Sequence, residues 1–360
     1  MGGARQMQIN LLINSLKGGG TEKVCSLLAS KMVYLEYQVN LFVLDSEGCD
    51  YYINDKVNVV FLGKAGTIRS FPKLVHLIRN YDIQSILVFN HELALVLFFC
   101  KFILMKNVRI ISRINNTLSY SIKLKKKSYR IFVGLMMKLF YKKMDFYIFQ
   151  SEGIKKDVLS NFGVKDNYVV INNPVRIPKK DNIVRSKNSM LYIGRLVRQK
   201  NIIDILKAHK LLIERGKDIY LDIVGDGPEL DKLTTYCHEE NILNRVNFHG
   251  HIKDVSRFFS GATVTILSSL NEGFPNVLLE SLSHGTPIVS YDCPSGPEEI
   301  ILDGVNGFLV EYLNHQKLAV SIEKALQHTW DEALIFKTIE KYKEDNIISE
   351  YINVFKRNSK

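Results

Sequence analysis

The sequence predicts an α/β protein made of two doubly wound, parallel-sheet domains in series. Three observations carry that expectation. The chain has 360 residues, enough for two domains of ordinary size, and its 46% hydrophobic and 24% charged composition is that of a globular protein. Short apolar runs alternate with helical stretches through the first half, the pattern of a parallel sheet covered by helices. Pro174 then breaks an apolar run, residues 179–188 are polar, and a second strand–turn–helix series begins.

In chain order, residues 8–16 read as a buried first strand. Gly18-Gly19-Gly20-Thr21-Glu22 turns into a helix through Val24, Leu27, Leu28 and Met32. With Lys23 at the third glycine position this is not the dinucleotide fingerprint, and it is not a P-loop. Its glycines let a phosphate or an acceptor approach the backbone, or serve a tight turn alone. Strands are expected at 39–44, 57–62, 85–89, 108–111 and 146–149, and helices near 69–80, 91–105, 128–143 and 152–161. Ligands of such sheets bind beyond the carboxyl ends of the strands. One such end is Ser112-Arg113-Ile114-Asn115-Asn116-Thr117, which reads either as an Asn-rich turn or as a set of polar contacts from Arg113, Asn115 and Asn116.

Charge divides the chain unevenly. Residues 1–173 hold 24 Lys+Arg and 12 Asp+Glu, a net of 24 − 12 = +12, whereas residues 174–360 hold 24 and 25, a net of −1. The asymmetry points to an anionic partner for the first half. Residues 119–143 concentrate it, with eight basic residues, among them Lys123, Lys125, Lys126, Lys127 and Arg130, and no acidic one. They adjoin Ile131, Phe132, Val133, Leu135, Met136, Met137, Leu139 and Phe140, a composition suited to an anionic membrane surface or to a core helix with a solvated basic flank. The apolar run 93–105 contains Lys101 and is shorter than the roughly 20 residues of a membrane span, so it is expected to be a buried helix. Residues 1–6 lack the apolar core of a signal peptide and the Ser or Thr of a myristoylation site, and the fold is expected to start near Met7. Five scattered cysteines show no metal or redox spacing, which fits free thiols in a reducing compartment.

The second half opens with a strand at 189–193 and continues with Gly194-Arg195-Leu196-Val197-Arg198-Gln199-Lys200-Asn201 before a helix. Arg195 and Lys200 thus stand at a strand's carboxyl end, where two cations could neutralise a diphosphate. Gly225-Asp226-Gly227-Pro228-Glu229-Leu230 is a further turn, and His249-Gly250 ends another strand. The most informative stretch is Glu272-Gly273-Phe274-Pro275-Asn276-Val277-Leu278-Leu279-Glu280, between an apolar run at 263–267 and a helix ending near His284-Gly285. Pro275 suits a first helical turn, whose N–H groups form a site for phosphate. Asn276 and Glu280 are four apart and share a face, and Glu272 sits at the helix mouth. Two carboxylates flanking an anion cradle suit hydroxyl groups, and a nucleotide sugar offers both kinds of group. A strand follows at 287–291, then Asp292-Cys293-Pro294-Ser295-Gly296-Pro297-Glu298-Glu299, a turn at 303–307 and helices at 314–328 and 331–344.

The Glu-Gly-Phe-Pro stretch, the apolar helix after it and Gly285-Thr286-Pro287-Ile288-Val289 resemble the donor-site signature of the retaining glycosyltransferases of family 4. The Gly194 to Lys200 loop, the Gly225 to Leu230 turn and, more weakly, the Gly18 to Glu22 turn resemble the same family. The resemblance implies a GT-B fold, two Rossmann-like doubly wound domains facing across a cleft. It implies an acceptor-binding, membrane-facing domain over 1–173, a nucleotide-sugar-binding domain over 174–340 and a C-terminal helix over 341–360 returning to the first domain.

By the same resemblance, Glu272 contacts the donor sugar, Glu280 holds the ribose, and Arg195 and Lys200 bind the diphosphate. Gly273, Phe274, Pro275, Asn276 and Val277 complete the donor site with Gly18 and Gly19. No histidine stands where many members place one, so Arg113, Asn115 and Asn116 are left as acceptor-side candidates. The chain has no Asp-x-Asp pair, and the expectation is metal-independent transfer without a cofactor. The expected donor is a UDP-sugar, with N-acetylhexosamine favoured by the 292–301 stretch. The expected acceptor is a polyprenyl-diphosphate-linked glycan at the cytoplasmic face of a membrane. A sugar-nucleotide epimerase or a phosphorylase of the same architecture is the alternative. A basic nucleic-acid-binding protein is the rival of another class, and the basic stretch lacks a reading motif for it.

Overall fold

The computed structural model describes residues 7–45, 48–63, 66–67, 69–123, 127–178 and 185–357. The chain divides into two compact units, Met1–Pro174 with Asp345–Lys360, and Val175–Glu344.

The first unit holds seven parallel strands: β1 (Gln8–Ile13), β2 (Gln38–Val43), β3 (Asn58–Phe61), β4 (Ser85–Val88), β5 (Arg109–Ile114), β6 (Phe146–Phe149) and β7 (Tyr168–Val170). Their order is β3-β2-β1-β4-β5-β6-β7, so the winding reverses between β1 and β4. Helices α1 (Gly20–Tyr34), α2 (Phe71–Asn80), α3 (His91–Ile103), α4 (Leu118–Lys123), α5 (Lys127–Phe140) and α6 (Glu152–Phe162) make the crossovers. The strands read as near-continuous apolar runs because both faces are covered. One face packs Phe42, Ile86, Val88 and Ile110 against Leu77, Leu97 and Met137, and the other packs Leu11, Leu41 and Ile111 against Leu28 and the C-terminal helix. Three amides, buried Asn10 and Asn40 and exposed Asn58, cross the sheet in step. Asn58 donates to Asn40 Oδ1 at 2.9 Å, Asn40 to Asn10 Oδ1 at 2.9 Å, and Asn10 to the Ser85 carbonyl at 3.0 Å.

The second unit holds six parallel strands: β8 (Ser189–Ile193), β9 (Tyr220–Val224), β10 (Val246–Phe248), β11 (Val264–Leu267), β12 (Ile288–Tyr291) and β13 (Gly307–Val310). The order β10-β9-β8-β11-β12-β13 reverses between β8 and β11. Helices α7 (Ile202–Glu214), α8 (Leu230–Glu239), α9 (Ser256–Gly261), α10 (Asn276–Ser283), α11 (Pro297–Ile300), α12 (His315–Gln327) and α13 (Glu332–Thr338) cover it. In each unit a ligand is expected at the carboxyl ends of the strands beside the reversal.

Three details depart from the sequence expectation. Strand β5 does not stop at Ile111 but runs to Ile114 and carries Arg113 into full burial. The guanidinium is accommodated there because it donates to Tyr351 Oη at 2.7 Å, to Asn173 Oδ1 at 2.8 Å and to Asn115 Oδ1. Residues 331–344 are not one helix. After α13 a 3-10 turn at Glu340–Tyr342 and an extended Lys343 lead into α14 (Glu344–Lys356). The break lets Tyr342 bury its ring edge-on to Phe274, donate to the Glu299 carbonyl at 3.0 Å and accept from Val175 N–H through its own carbonyl at 2.8 Å. Finally, α3 is buried only along Leu93, Ala94, Leu95, Leu97 and Cys100, while Phe102, Ile103 and Met105 are exposed. Among the described residues no helix is long and apolar enough to cross a membrane.

Candidate functional site

The carboxyl ends of β8 and β11 carry the two loops singled out in the second half. The turn after β8 lies in backbone contact with the turn after β9. Gly194 N–H donates to the Val224 carbonyl at 3.0 Å and Leu196 N–H to the Asp226 carbonyl at 2.8 Å. Contact this close requires glycine at 225, where a Cβ would stand 1.9 Å from the Gly194 carbonyl oxygen. A 3-10 turn at Arg198–Lys200 follows and is strapped to the loop after β11. Leu270 N–H donates to the Gln199 carbonyl at 2.8 Å, and Gln199 Nε2 to the Asn271 carbonyl at 2.9 Å. Ser268 Oγ donates to the Lys200 and Asn201 carbonyls at 3.0 and 2.9 Å. These bonds bring Lys200 Nζ to 2.5 Å from Glu272 Oε1, with Glu272 buried at the mouth of α10.

Helix α10 begins at Asn276 with Pro275 as its N-cap, and no side chain caps that terminus. Leu278, Leu279 and Leu282 face the core, while Asn276, Val277 and Glu280 form a half-buried stripe. Phe274 is buried against Tyr342. The 292–297 loop cradles the turn below: Ser295 Oγ donates to the Gly273 carbonyl at 2.8 Å, and Gly296 lies so close that a Cβ would stand 2.6 Å from Pro275 Cδ. Burial, and then the charge of Glu272, pushes the Tyr192 phenol and the Cys293 thiol well up, so both stay protonated beside the carboxylate. Ser269 Oγ and Asn271 Oδ1 are buried without a hydrogen-bond partner among the described residues. Arg195 is exposed, and its guanidinium has no hydrogen-bond or ion-pair partner among the described residues. The structure therefore pairs two of the singled-out residues, Lys200 and Glu272, and leaves Arg195 turned to solvent. The strap residues Gln199 and Ser268 and the cradle residue Ser295 were not singled out in the sequence, where they look like ordinary loop polarity.

Gly18 and Gly19 belong to the first unit, at the start of α1. Gly18 N–H donates to Asp50 Oδ2 at 2.9 Å, and the Tyr51 hydroxyl to the Gly18 and Gly19 carbonyls at 3.2 and 2.9 Å. Arg113, Asn115 and Asn116 all line one cavity of about 380 Å³ at the carboxyl ends of β1, β4 and β5. The same cavity is lined by Asn14, Glu92 and Tyr129, which the sequence reading missed. The signal available was Asn90-His91-Glu92, placed directly after a strand-like run. Of the basic stretch, Lys123, Lys127 and Arg130 are exposed, and Lys125 and Lys126 lie outside the described residues. Helix α5 buries Val133 and Met137 but exposes Ile131, Phe132, Leu135 and Leu139.

Residues 175–344 match the family model described as Glycosyl transferases group 1, and residues 18–177 match that of Glycosyltransferase Family 4. The poly(glycerol-phosphate) alpha-glucosyltransferase of Bacillus subtilis is 31% identical over 174 residues, which are 47% of this chain and 26% of that protein. The chain thus spans about a quarter of that relative's length. The amylovoran biosynthesis glycosyltransferase AmsD of Erwinia amylovora is 26% identical over 323 residues, 88% of this chain and 89% of that protein. The solved structure of Anabaena HepE in complex with UDP superposes with a TM-score of 0.75 at 17% identity, covering 97% of this chain and 100% of that one.

Proposed function

Because the chain belongs to the group 1 and family 4 glycosyltransferases and has their GT-B fold, we propose that it transfers a sugar from a UDP-sugar to a bacterial surface glycan under assembly. The observation that carries the reading is the buried Lys200–Glu272 pair at the mouth of α10, 2.5 Å apart, with Arg195 on the same loop. UDP is favoured as the leaving group because a UDP complex is known for a protein of the same fold.

In this reading Arg195, Lys200 and the amino end of α10 take the diphosphate, whose two phosphates need cations or dipoles aimed at them. Glu280 grips the ribose hydroxyls. Glu272 orients the transferred sugar, and Lys200 bridges that carboxylate to the phosphate. The acceptor hydroxyl attacks the anomeric carbon from the face that the diphosphate leaves. Its proton passes to the departing phosphate oxygen, so configuration is retained without a covalent enzyme intermediate. Charge on the leaving group is balanced by protein cations, and no divalent ion is required. The favoured sugar is an N-acetylhexosamine, on the likeness of the 292–301 stretch to enzymes that use one. The favoured acceptor is a polyprenyl-diphosphate-linked glycan.

Such an acceptor calls for contact with a membrane. The exposed stripe Ile131, Phe132, Leu135 and Leu139 on α5, beside Lys127 and Arg130, supports that contact at an anionic leaflet. The test is calorimetry with UDP, followed by mass-spectrometric assay of UDP-N-acetylglucosamine, UDP-N-acetylgalactosamine, UDP-glucose and UDP-galactose with lipid-linked acceptors. UDP binding and turnover of one of them is expected. Absence of UDP binding overturns the reading, and release of an epimerised nucleotide sugar would favour the epimerase.

A further inference from the structure

We propose that the groove across the amino ends of β5, β6 and β7 binds a linear oligophosphate, held by Lys138, Lys142 and Lys165. This site is independent of the sugar-transfer reading, because the ligands of a doubly wound sheet sit at the opposite, carboxyl ends of the strands.

Two adjoining cavities make the groove. One, of about 740 Å³, is lined by the three lysines and Asp166. The other, of about 550 Å³, shares Lys142, Met144 and Asn167 with it and adds Lys143 and Arg109. Neighbouring strands lie about 4.8 Å apart, so from Arg109 at the start of β5 to Asn167 before β7 the groove spans about 10 Å, more than one phosphate fills.

Its charge is unbalanced. Lys138, Lys142 and Lys165 are exposed and form no ion pair among the described residues. In the second unit, by contrast, Lys200, Lys207, Lys210, Lys217 and Lys232 each have an acidic partner. Arg109 is fixed at the groove by its Nη1, which donates to the Val354 carbonyl at 2.8 Å. Of the two carboxylates in the lining, Asp145 is neutralised by Lys101 at 2.8 Å and accepts from Ile110 N–H at 2.8 Å. Asp166 alone is left to face the lysines, and cations gathered in one concavity favour an anion.

The lining also selects the kind of anion. Its apolar members, Met144, Tyr147 and Phe162, are buried, so no ring or aliphatic surface is offered to a base, a peptide side chain or an acyl chain. Gln84, Asn107 and Asn167 add amides that can donate to phosphate oxygens. A chain of phosphates presents charge at close intervals and nothing apolar, which fits both features.

The test is calorimetry on the full chain saturated with UDP, titrated with orthophosphate, tripolyphosphate and a longer linear polyphosphate. Affinity is expected to rise along that series, to fall about tenfold in the double variant Lys142→Gln/Lys165→Gln, and to fall with added salt. Both positions are exposed, and the double variant should keep the melting temperature and UDP affinity of the wild type. Lys138→Gln should weaken binding separately, whereas Lys56→Gln, before β3 at the far edge of the sheet, should change nothing. Polyphosphate that binds no better than orthophosphate, no polyphosphate binding in the presence of UDP, or binding that ignores the groove lysines each overturns the assignment. So does a double variant that loses only sedimentation with phosphatidylglycerol vesicles, which would give the lysines to a membrane. Failure of the wild type to bind UDP would sink the donor reading instead and leave the comparison of wild type with lysine variants intact.

Discussion

Lys200 and Glu272 lie 72 residues apart in sequence and meet as an ion pair 2.5 Å long, their side chains only 17% and 9% exposed. Removing one partner of a buried pair strands the other charge, at a cost of about 3–5 kcal/mol. Lys200→Met is therefore expected to lower stability markedly. The double variant Lys200→Met/Glu272→Gln should recover part of that loss, because no lone charge remains. Urea unfolding of the wild type, Lys200→Met, Glu272→Gln and the double variant measures the coupling, and simple additivity would contradict a paired role.

The two glutamates should separate by function. Glu280→Ala is expected to weaken UDP binding by about 1.5–3 kcal/mol, the worth of a hydrogen bond to a charged group. Glu272→Ala should depress turnover more than UDP affinity. Calorimetry with UDP beside initial-rate assays checks the split, and equal loss of UDP affinity in both would reject the assigned roles.

Arg195→Ala should slow transfer strongly with little effect on folding, since the side chain is exposed. Addition of EDTA should leave the wild-type rate unchanged. Inactivation by EDTA that manganese or magnesium reverses would show that a divalent ion, not Arg195 and Lys200, balances the diphosphate.

His209 predicts an acid-sensitive second unit. It is wholly buried on α7, its ring nitrogen Nε2 3.3 Å from the Ile219 carbonyl and Nδ1 without a partner among the described residues. Burial, ahead of the other influences, lowers its pKa from 6.5 to about 4. The unfolded chain then binds the proton more readily than the folded one between these values. Stability is full above pH 6.5 and falls progressively as pH drops towards 4, by about 3 kcal/mol from this group. His209→Gln should flatten that part of a melting-temperature profile between pH 7 and 4, and an unchanged slope would assign the acid sensitivity elsewhere.

Membrane contact can be tested without touching the core. Ile131→Ser and Phe132→Ser alter exposed positions and should leave the melting temperature unchanged. Both are expected to reduce sedimentation with phosphatidylglycerol vesicles, and Lys127→Glu with Arg130→Glu should make the residual binding weaker. High salt should weaken it in all cases, because exposed charges are screened beyond about 8 Å at physiological ionic strength. Wild-type protein that ignores anionic vesicles at low salt would leave the α5 stripe without this partner.

The alternation of apolar runs and helices exposed the architecture in the sequence because parallel strands buried on both faces have a strong local signature. The Gly225 to Leu230 turn was legible for a similar reason, since its glycines answer a backbone demand. The Lys200–Glu272 pair was not. Its geometry depends on Gln199, Ser268 and Leu270, which strap two loops from adjacent strands, and nothing local distinguishes them from solvated loop residues. The burial of Arg113 was equally hidden, because the guanidinium is held by Tyr351, 238 residues on. The break before α14 was hidden because its cause, the seat of Tyr342 on Phe274, is likewise non-local.

The amide ladder of Asn58, Asn40 and Asn10 has a consequence for how the first sheet assembles. These residues are paired across β1, β2 and β3 in one register, Asn10 beside Asn40 and Asn40 beside Asn58. A slip of one residue between neighbouring strands would turn a strand's amide to the opposite, apolar face and leave its partners unsatisfied, at about 1–3 kcal/mol for each stranded group. Aliphatic side chains alone tolerate such slips. The ladder acts as a proofreading key, rejecting misaligned pairings during folding of a sheet whose long crossovers make correct strand meetings rare.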